Sequence, residues 1–251
     1  MAEDKRRSAC LYHEMSPFIP DIPVGNTQMN TPNPLTLTTE VPEVVIQRLP
    51  LYVRVLTQFA QMGMGVVSSE QLGELLQMTP AQIRKDLSYF GRFGKQGRGY
   101  NVKHLSDELR RILGLDFPWN AAIVGMGRLG RAVASYPGFE REQFRIVAAF
   151  DVNPDLTGMR VGDVVVQPMS ELTATVRSKD VRIGIVTVPA AMAQQVINAL
   201  AAAGVKAILN YAPYSPQAPA GVKVLGIDPV LALQSMTYYL KKQMVSSPVP
   251  R

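Results

Sequence analysis

The chain of 251 residues contains one cysteine, two histidines and no long apolar run. Cys10 alone cannot form an internal disulfide or a cysteine-based zinc site, which is typical of a protein from a reducing compartment. No segment reaches the ~18 consecutive apolar residues of a membrane-spanning helix. Residues 1–7 also lack the apolar stretch of a secretory signal. These absences predict a cytoplasmic protein without membrane contact, disulfide or bound metal.

Positive charge exceeds negative charge moderately. The sequence has 26 Lys and Arg against 20 Asp and Glu, a formal net charge of +6 and a pI near 9.5. A basic surface raises the rate of encounter with polyanions. The charge points to nucleic acid as a partner, but alone it decides little, because many basic proteins bind no polyanion.

Residues 1–40 are rich in proline and polar residues and show no helical or strand period. Such a composition buries too little apolar surface to offset the entropy of ordering. The sequence therefore predicts a disordered tail, and an inert extension is a simpler interpretation of it than a functional arm.

Residues 41–117 have the pattern of a winged helix-turn-helix domain. Two short helices follow one another closely, the first capped by Ser68 with Gln71 and the second opened by Thr79 with Pro80. Two short helices joined by a tight turn are a helix-turn-helix signature.

The flanking segments complete this pattern. Apolar residues recur at spacings of three and four from Val45 to Ala60, which predicts an amphipathic helix. Pro50 lies inside it and predicts a kink or a restart. The glycine-rich segment 91–100 follows the third helix and predicts a hairpin, the wing of a winged helix.

The third helix and the wing carry most of the local charge. Residues 84–103 contain six Lys or Arg and one Asp. A cationic helix can enter the major groove, where Arg and Lys read guanine or hold phosphates. The alternative is a solvated basic face, but the helix-turn-helix pattern and the wing favour DNA binding. The predicted DNA contacts are Arg84, Lys85, Ser88, Tyr89, Lys95 and Arg98.

Residues 118–228 alternate between short apolar strands and helices, which predicts a doubly wound parallel sheet covered on both faces. The first strand runs directly into a G-x-G-x-x-G sequence that opens a helix. Gly125 permits the tight turn, Gly127 lets the backbone approach a pyrophosphate, and Gly130 allows close packing. This context favours a Rossmann nucleotide site over a plain turn. The predicted contacts are Gly125, Met126, Gly127, Arg128, Leu129 and Gly130.

Asp151 ends the second strand, at the position where a ribose would lie. An ionised carboxylate accepts hydrogen bonds from ribose hydroxyls and repels a 2′-phosphate, so NAD(H) is favoured over NADP(H). No acid or base suited to hydride chemistry follows, because His13 and His104 both precede the sheet. The sequence predicts a dinucleotide site that binds without catalysis.

Several stretches of the chain together resemble the Rex family, the redox-sensing transcriptional repressors of bacteria. The resemblance covers residues 41–243 and is most specific in Q-I-R-K-D-L-S-Y-F-G at 82–91 and I-V-G-M-G-R-L-G at 123–130. The other stretches are V-P-E at 41–43, R-L-P-L-Y-V-R at 48–54, S-S-E-Q-L-G at 68–73, Y-P-G at 136–138 and F-D-V at 150–152.

The resemblance implies a homodimer on palindromic operator DNA, with a C-terminal helix within residues 229–251 that crosses into the partner. It implies that NADH closes the Rossmann domains and releases the operator, whereas NAD⁺ competes weakly. Arg54, Tyr136 and Asp228 match a relay in which Asp228 pairs with Arg54 in one ligand state and with Tyr136 in the other. The residues implied to line the nucleotide are Thr187, Val188, Pro189, Asn210, Tyr211 and Ala212.

Two positions depart from the family pattern, and two other functions stay open. Gln96 stands at the usual basic position of the wing, and Pro229 follows Asp228 where the family has phenylalanine. The alternatives are an NAD-dependent oxidoreductase with a regulatory N-terminal domain and a CoA- or nucleotide-binding structural protein. The absence of catalytic groups argues against the first, and Asp151 at a ribose position argues against the second.

Overall fold

A computed structural model describes residues 41–95 and 98–246 of the chain. The predicted disordered tail, residues 1–40, and the departure at Gln96 lie outside the described residues. No helix in the described ranges is long and apolar enough to cross a membrane.

The N-terminal half is a winged helix. Its elements are α1 (Glu43–Gln61), β1 (Val66–Val67), α2 (Ser69–Leu76), α3 (Pro80–Ser88), β2 (Gly94–Lys95), β3 (Gly99–Asn101) and α4 (Val102–Ile112). β3 pairs antiparallel with both β1 and β2, so the predicted wing hairpin is confirmed. One apolar core joins the four helices, with Leu56, Leu72, Ile83 and Leu105 fully buried in it.

The predicted starts of α2 and α3 are confirmed. The Ser68 hydroxyl accepts from the Gln71 N–H (3.2 Å), and the Gln71 side chain accepts from the Ser68 N–H (2.9 Å), which is a complete capping box. The Thr79 hydroxyl accepts from the Gln82 N–H at the start of α3, with Pro80 as its first residue. These caps fix where α2 and α3 begin.

The predicted restart at Pro50 is wrong, because α1 runs unbroken from Glu43 to Gln61. Proline lacks the N–H that would bond to the Ile46 carbonyl. Pro50 and Ile46 are both exposed, so water can satisfy that carbonyl, while Leu49 and Val53 are buried in the core. Burial of the apolar face therefore outweighs the one missing hydrogen bond.

The C-terminal half is an α/β sheet. Its elements are β4 (Trp119–Val124), α5 (Arg128–Ala134), α6 (Gly138–Arg141), β5 (Phe144–Asp151), β6 (Arg160–Val161), β7 (Val164–Pro168), α7 (Leu172–Ser178), β8 (Ile183–Val186), α8 (Ala190–Ala203), β9 (Ala207–Asn210), β10 (Lys223–Gly226) and α9 (Pro229–Ser246). The strand order is β10-β9-β8-β4-β5-β7-β6. Every pair is parallel except β6 with β7, so the expected parallel sheet has one antiparallel edge strand.

The strand order reverses at β4. The chain proceeds from β4 to β5 and β7 on one side, then returns to β8, β9 and β10 on the other. Val124 at the end of β4 is in register with Phe150 of β5 and Val186 of β8. Ligands of open α/β sheets bind at such a reversal, outside the carboxyl ends of the strands.

The sheet is not fully covered within one chain, contrary to the expectation of cover on both faces. α7 and α8 pack on one face, and α5 and α6 cover part of the other. An apolar groove of about 350 Å³ remains over β8, β9 and β10, lined in part by Ile183, Leu209 and Leu225. Helix α9 is exposed from Pro229 to Lys242.

Two ion pairs connect the winged helix to the sheet. Lys223 on β10 contacts Glu43 on α1, and this ammonium lowers the pKa of the Glu43 carboxyl. Arg110 on α4 lies 3.2 Å from the Glu142 carboxylate, just after α6. Both pairs are exposed to solvent, where one ion pair contributes little stability.

Candidate nucleotide and DNA sites

The turn after β4 requires glycine at its first position. Gly125 has φ +99°, and a Cβ there would lie 2.8 Å from Val188 Cγ1 and 2.9 Å from the Thr187 carbonyl carbon. The Thr187 hydroxyl donates to the Gly125 carbonyl (2.7 Å). The end of β8 therefore holds the loop that follows β4, and Thr187 and Val188 lie directly against it.

The other two glycines of the motif, Gly127 and Gly130, differ in the space that a side chain would have. A Cβ on Gly130 would lie 1.8 Å from the Gly125 carbonyl oxygen, so any side chain there would disrupt the turn. A Cβ on Gly127 would meet nothing within 4 Å. The backbone at Gly127, where α5 begins, therefore faces open space that a pyrophosphate can occupy. The loop fits the dinucleotide that the sequence predicts.

Asp151 lies beside this loop. Its Oδ2 accepts from the Met126 N–H (2.6 Å) and its Oδ1 accepts from the Asn153 N–H (2.8 Å). A carboxylate has about four lone-pair sites, so both oxygens can still accept from ribose hydroxyls. Asp151 thus links the glycine loop to the end of β5, where the sequence predicts the ribose. The sequence predicts the carboxylate but not its bond to the loop.

Residues at the ends of β8 and β9 lie on the other side of β4 from Asp151. Asn210 is fully buried. Its Nδ2 donates to the Ala212 carbonyl (3.1 Å) and to the Tyr214 carbonyl (3.1 Å), and its Oδ1 accepts from the Ala212 N–H (3.1 Å). Its side chain therefore shapes the turn that carries Tyr211 and Ala212. Burial raises the pKa of the Tyr211 phenol. Direct nucleotide contact by the residues of this turn stays a prediction.

Helix α3 presents most of its predicted DNA contacts to solvent. Arg84, Lys85 and Ser88 are exposed, whereas Ile83 and Leu87 are buried. Tyr89, the next residue, is half-buried and ends the helix. Helix α3 therefore has an exposed face that carries two cations and a buried apolar face.

Arg84 does not extend freely into solvent. Its Nη1 donates to the Ser69 hydroxyl on α2 (2.9 Å) and lies 3.8 Å from the Glu70 carboxylate. A hydrogen bond from the Ser68 hydroxyl lowers the pKa of Glu70. The arginine therefore ties α3 to the first turn of α2.

Asp86, the single acid of the cationic stretch, is buried beneath this face. It accepts two hydrogen bonds from the Arg48 guanidinium, from Nε and Nη2, both 2.7 Å, and one from the Tyr52 hydroxyl, also 2.7 Å. Burial, followed by the Asp86 bond, raises the pKa of Tyr52. Sequence reasoning missed this cluster, although Arg48 and Tyr52 stand four residues apart on one face of α1.

The wing is described only in part. β2 ends at Lys95, whose side chain lies outside the described residues, and Arg98 is exposed in the turn before β3. Gly99 has φ +69°, and a Cβ there would lie 2.6 Å from the Val67 carbonyl oxygen. This glycine lets the wing pack closely against β1.

The three relay residues are separate within one chain. Asp228 accepts from the Val230 N–H (2.9 Å) and so caps α9, and Pro229 is the first residue of that helix. The Tyr136 ring lies edge-on to Phe139 at 5.5 Å. Arg54 lines a groove of about 520 Å³ on α1. Among the described residues, no hydrogen bond or ion pair joins Asp228 to Arg54 or Tyr136.

Comparison with known sequences relates both halves of the chain to characterised families. The profile of the CoA binding domain matches residues 116–214, and that of a putative DNA-binding protein N-terminus matches residues 40–88. The redox-sensing transcriptional repressor Rex of Chloroflexus aggregans is 52% identical over 202 residues, which cover 80% of this chain and 95% of that protein. Rex of Brevibacillus brevis is 43% identical and covers 80% and 97%.

Solved structures give the same result. RSP, a Rex-family repressor, in complex with β-NAD⁺ and operator DNA has a TM-score of 0.78 at 37% identity, covering 83% of this chain and 96% of that one. RSP in complex with β-NADH has a TM-score of 0.75 at 35% identity, covering 83% and 98%. Both similarities extend over the winged helix and the sheet together.

Proposed function

Because this chain belongs to the Rex family of redox-sensing transcriptional repressors, we propose that it represses transcription by binding operator DNA and that NADH releases it. The observation that carries this proposal is the joint match of both halves to repressors over 95% of a relative's length. A match to the sheet alone would fit many nucleotide-binding proteins, since one fold hosts many functions.

The nucleotide is proposed to lie across the carboxyl ends of β4, β5 and β8. Its pyrophosphate contacts the open backbone at Gly127, and its ribose hydroxyls donate to Asp151. The neutral dihydronicotinamide of NADH enters an apolar pocket more readily than the cationic ring of NAD⁺, which loses hydration there. NADH releases DNA if it binds the DNA-free state of the protein more tightly than the DNA-binding state, because a ligand shifts an equilibrium only by its difference in affinity for the two states.

The proposed functions are assigned to successive segments of the chain. Residues 41–117 bind DNA, residues 118–228 bind NAD(H), and residues 229–251 join the subunits. In the first of these, Arg84 and Lys85 contact operator DNA from the exposed face of α3, while Arg98 contacts it from the wing. Their exposure and charge support this assignment.

The subunits of the proposed homodimer exchange α9. An isolated helix with apolar side chains on all sides is a liability in water, so a partner surface is needed. The apolar groove over β8, β9 and β10 is such a surface, and one chain leaves it uncovered. The apolar side chains of α9 that are more than half exposed are Val230, Leu231, Leu233, Met236, Tyr238, Tyr239 and Leu240.

Exchange of α9 also accounts for the separation of the relay residues. Asp228 caps the first turn of α9, so it moves with that helix into the dimer. We propose that it pairs there with Arg54 in one ligand state and with Tyr136 in the other. An exchange of partners leaves Asp228 paired in both ligand states. This avoids the cost of breaking a buried ion pair outright, which is about 3–5 kcal/mol.

Two alternatives are distinguished by one experiment. An oxidoreductase would turn over NADH, and a CoA-binding protein, which the matched domain profile favours, would bind CoA. A duplex selected by the protein from a random-sequence pool is incubated with it in a mobility-shift assay, and NADH, NAD⁺ and CoA are added separately. Release by NADH at the lowest concentration supports the proposal. Failure to select a duplex, or release by CoA alone, contradicts it.

A further inference from the structure

Asp86 is a buried carboxylate on α3 that is held by side chains of α1. Its side chain is 3% exposed, and three donors from α1 surround it, two from Arg48 and one from Tyr52. Arg48 is 19% exposed, so this bidentate pair is largely shielded from water. Bidentate Arg–carboxylate pairs fix orientation as well as distance, because two parallel bonds define a plane.

The anchor lies opposite the face proposed to read DNA. Each helical residue turns the chain by about 100°, so positions two residues before and after Asp86 lie about 160° from it, on the far side. Those positions are Arg84 and Ser88, both exposed. The orientation of Asp86 therefore determines where Arg84 and Ser88 point.

Apart from Asp86, the core contacts of α3 are apolar, and the other directional contact, the Arg84 hydrogen bond to Ser69, comes from a side chain that is 56% exposed. The helix has nine residues, and its buried apolar side chains are Ile83 and Leu87. Aliphatic packing is non-directional, and it tolerates small rotations about the helix axis. Base reading tolerates little, since a binding constellation must stay within about 10–20° of its productive geometry. A directional anchor meets that requirement where apolar packing does not.

Stability alone is a poor explanation of such a pair. The desolvation of two buried charges can exceed their mutual attraction, and apolar replacements are often equally stable. We propose that Asp86, held by Arg48 and Tyr52, is a positioning residue for operator recognition that fixes the rotation of α3. This inference rests on the proposed DNA-binding function and assigns to these three side chains the discrimination between operator and other DNA.

The direct test is Asp86→Asn, which keeps the size of the side chain but directs an amide against the Arg48 guanidinium. Fluorescence anisotropy measures affinity for a duplex selected by the wild-type protein and for a scrambled duplex of the same composition. The ratio of the two affinities is expected to fall about tenfold, the scale of one lost base contact. Affinity for the scrambled duplex is expected to change little, because it rests on phosphate contacts, which carry no sequence information.

Asp107→Asn is the matched control. Asp107 lies on α4 of the same domain, and it pairs with Lys103 at 2.6 Å on the surface. Asp107→Asn removes the same charge but breaks no buried ion pair. The ratio of affinities for the selected and scrambled duplexes is therefore expected to equal that of the wild type. Tyr52→Phe removes only one of the three bonds to Asp86 and is expected to lower the ratio by a smaller factor.

Folding is checked by circular dichroism, and NADH affinity by calorimetry on the same samples. If Asp86→Asn folds poorly, the result rests on Tyr52→Phe, which retains the ion pair. A folded variant that keeps the wild-type ratio overturns the inference. An equal fall in affinity for both duplexes also overturns it, because such a fall indicates a loss of folded protein. If the wild type does not discriminate between the duplexes, the proposed function itself fails.

Discussion

The Asp151 carboxylate accepts a hydrogen bond from the Met126 N–H at 2.6 Å, which links the proposed ribose position to the glycine loop. The two sides of the proposed adenosine site are therefore one unit, built from the ends of β4 and β5. Loss of this carboxylate removes a ribose acceptor and a constraint on the loop together.

Asp151→Ala is expected to weaken NADH binding by about 1.5–3 kcal/mol, the range for hydrogen bonds to a charged group. The preference for NADH over NADPH narrows, because the repulsion of a 2′-phosphate is lost. DNA binding without nucleotide stays as in the wild type. Calorimetry with both nucleotides is the measurement, and Asp155→Ala, an exposed acid four residues along, is the control. Wild-type NADH affinity in Asp151→Ala would exclude the ribose role.

Alanine substitutions at Gly130 and Gly127 are expected to differ in their effect on the melting temperature. Gly130→Ala drives a Cβ into the Gly125 carbonyl oxygen, so it lowers the melting temperature as well as NADH affinity. Gly127→Ala meets open space and leaves the melting temperature unchanged, while its methyl group obstructs the pyrophosphate. Thermal melts and calorimetry on both variants separate the two effects. NADH binding by a stable Gly127→Ala variant at wild-type affinity would show that the phosphates lie elsewhere.

Arg84 and Lys85 are expected to supply DNA contacts of measurable strength. Replacement of either by alanine weakens binding of the selected duplex by about 1–3 kcal/mol if the residue reads a base. If the residue holds a phosphate instead, the salt dependence flattens by about one unit of slope. Anisotropy titrations at several salt concentrations distinguish these cases. Unchanged affinity and slope in both variants would mean that α3 does not contact DNA.

Asp228→Asn tests the relay without removing the cap of α9. Asparagine also accepts from the Val230 N–H, so the helix start and the dimer are expected to persist. The variant binds both ligands, but release of DNA requires about 5- to 150-fold more NADH, which corresponds to a coupling of about 1–3 kcal/mol. Size-exclusion chromatography checks the dimer, and anisotropy follows the release. Release at the wild-type NADH concentration would exclude Asp228 from the coupling.

Local signals in the sequence predict local structure well. Ser68 with Gln71 and Thr79 with Pro80 mark helix starts, because capping depends on residues within one turn. Gly204, with φ +116°, ends α8 (Ala190–Ala203), which is the usual place of a glycine just after a helix. The glycine loop is equally local, since its role depends on the strand and helix on either side.

Features that depend on distant partners could not be predicted. Asp86 looks like an ordinary acid in a basic stretch until α1 brings Arg48 and Tyr52 against it. Strand β6 has two residues, too few for any period to register, so the antiparallel edge was missed. The contact of Asn210 with the nucleotide stays a prediction, and no spacing in the sequence reveals that its amide bonds to the turn after β9.

The most direct measurement holds the total NAD(H) concentration constant and varies the NADH fraction, while anisotropy follows the wild-type protein on its selected duplex. The account predicts that bound DNA falls steadily as the NADH fraction rises and that NAD⁺ alone leaves the complex intact. Dissociation that depends on total nucleotide, whatever its redox state, would contradict it.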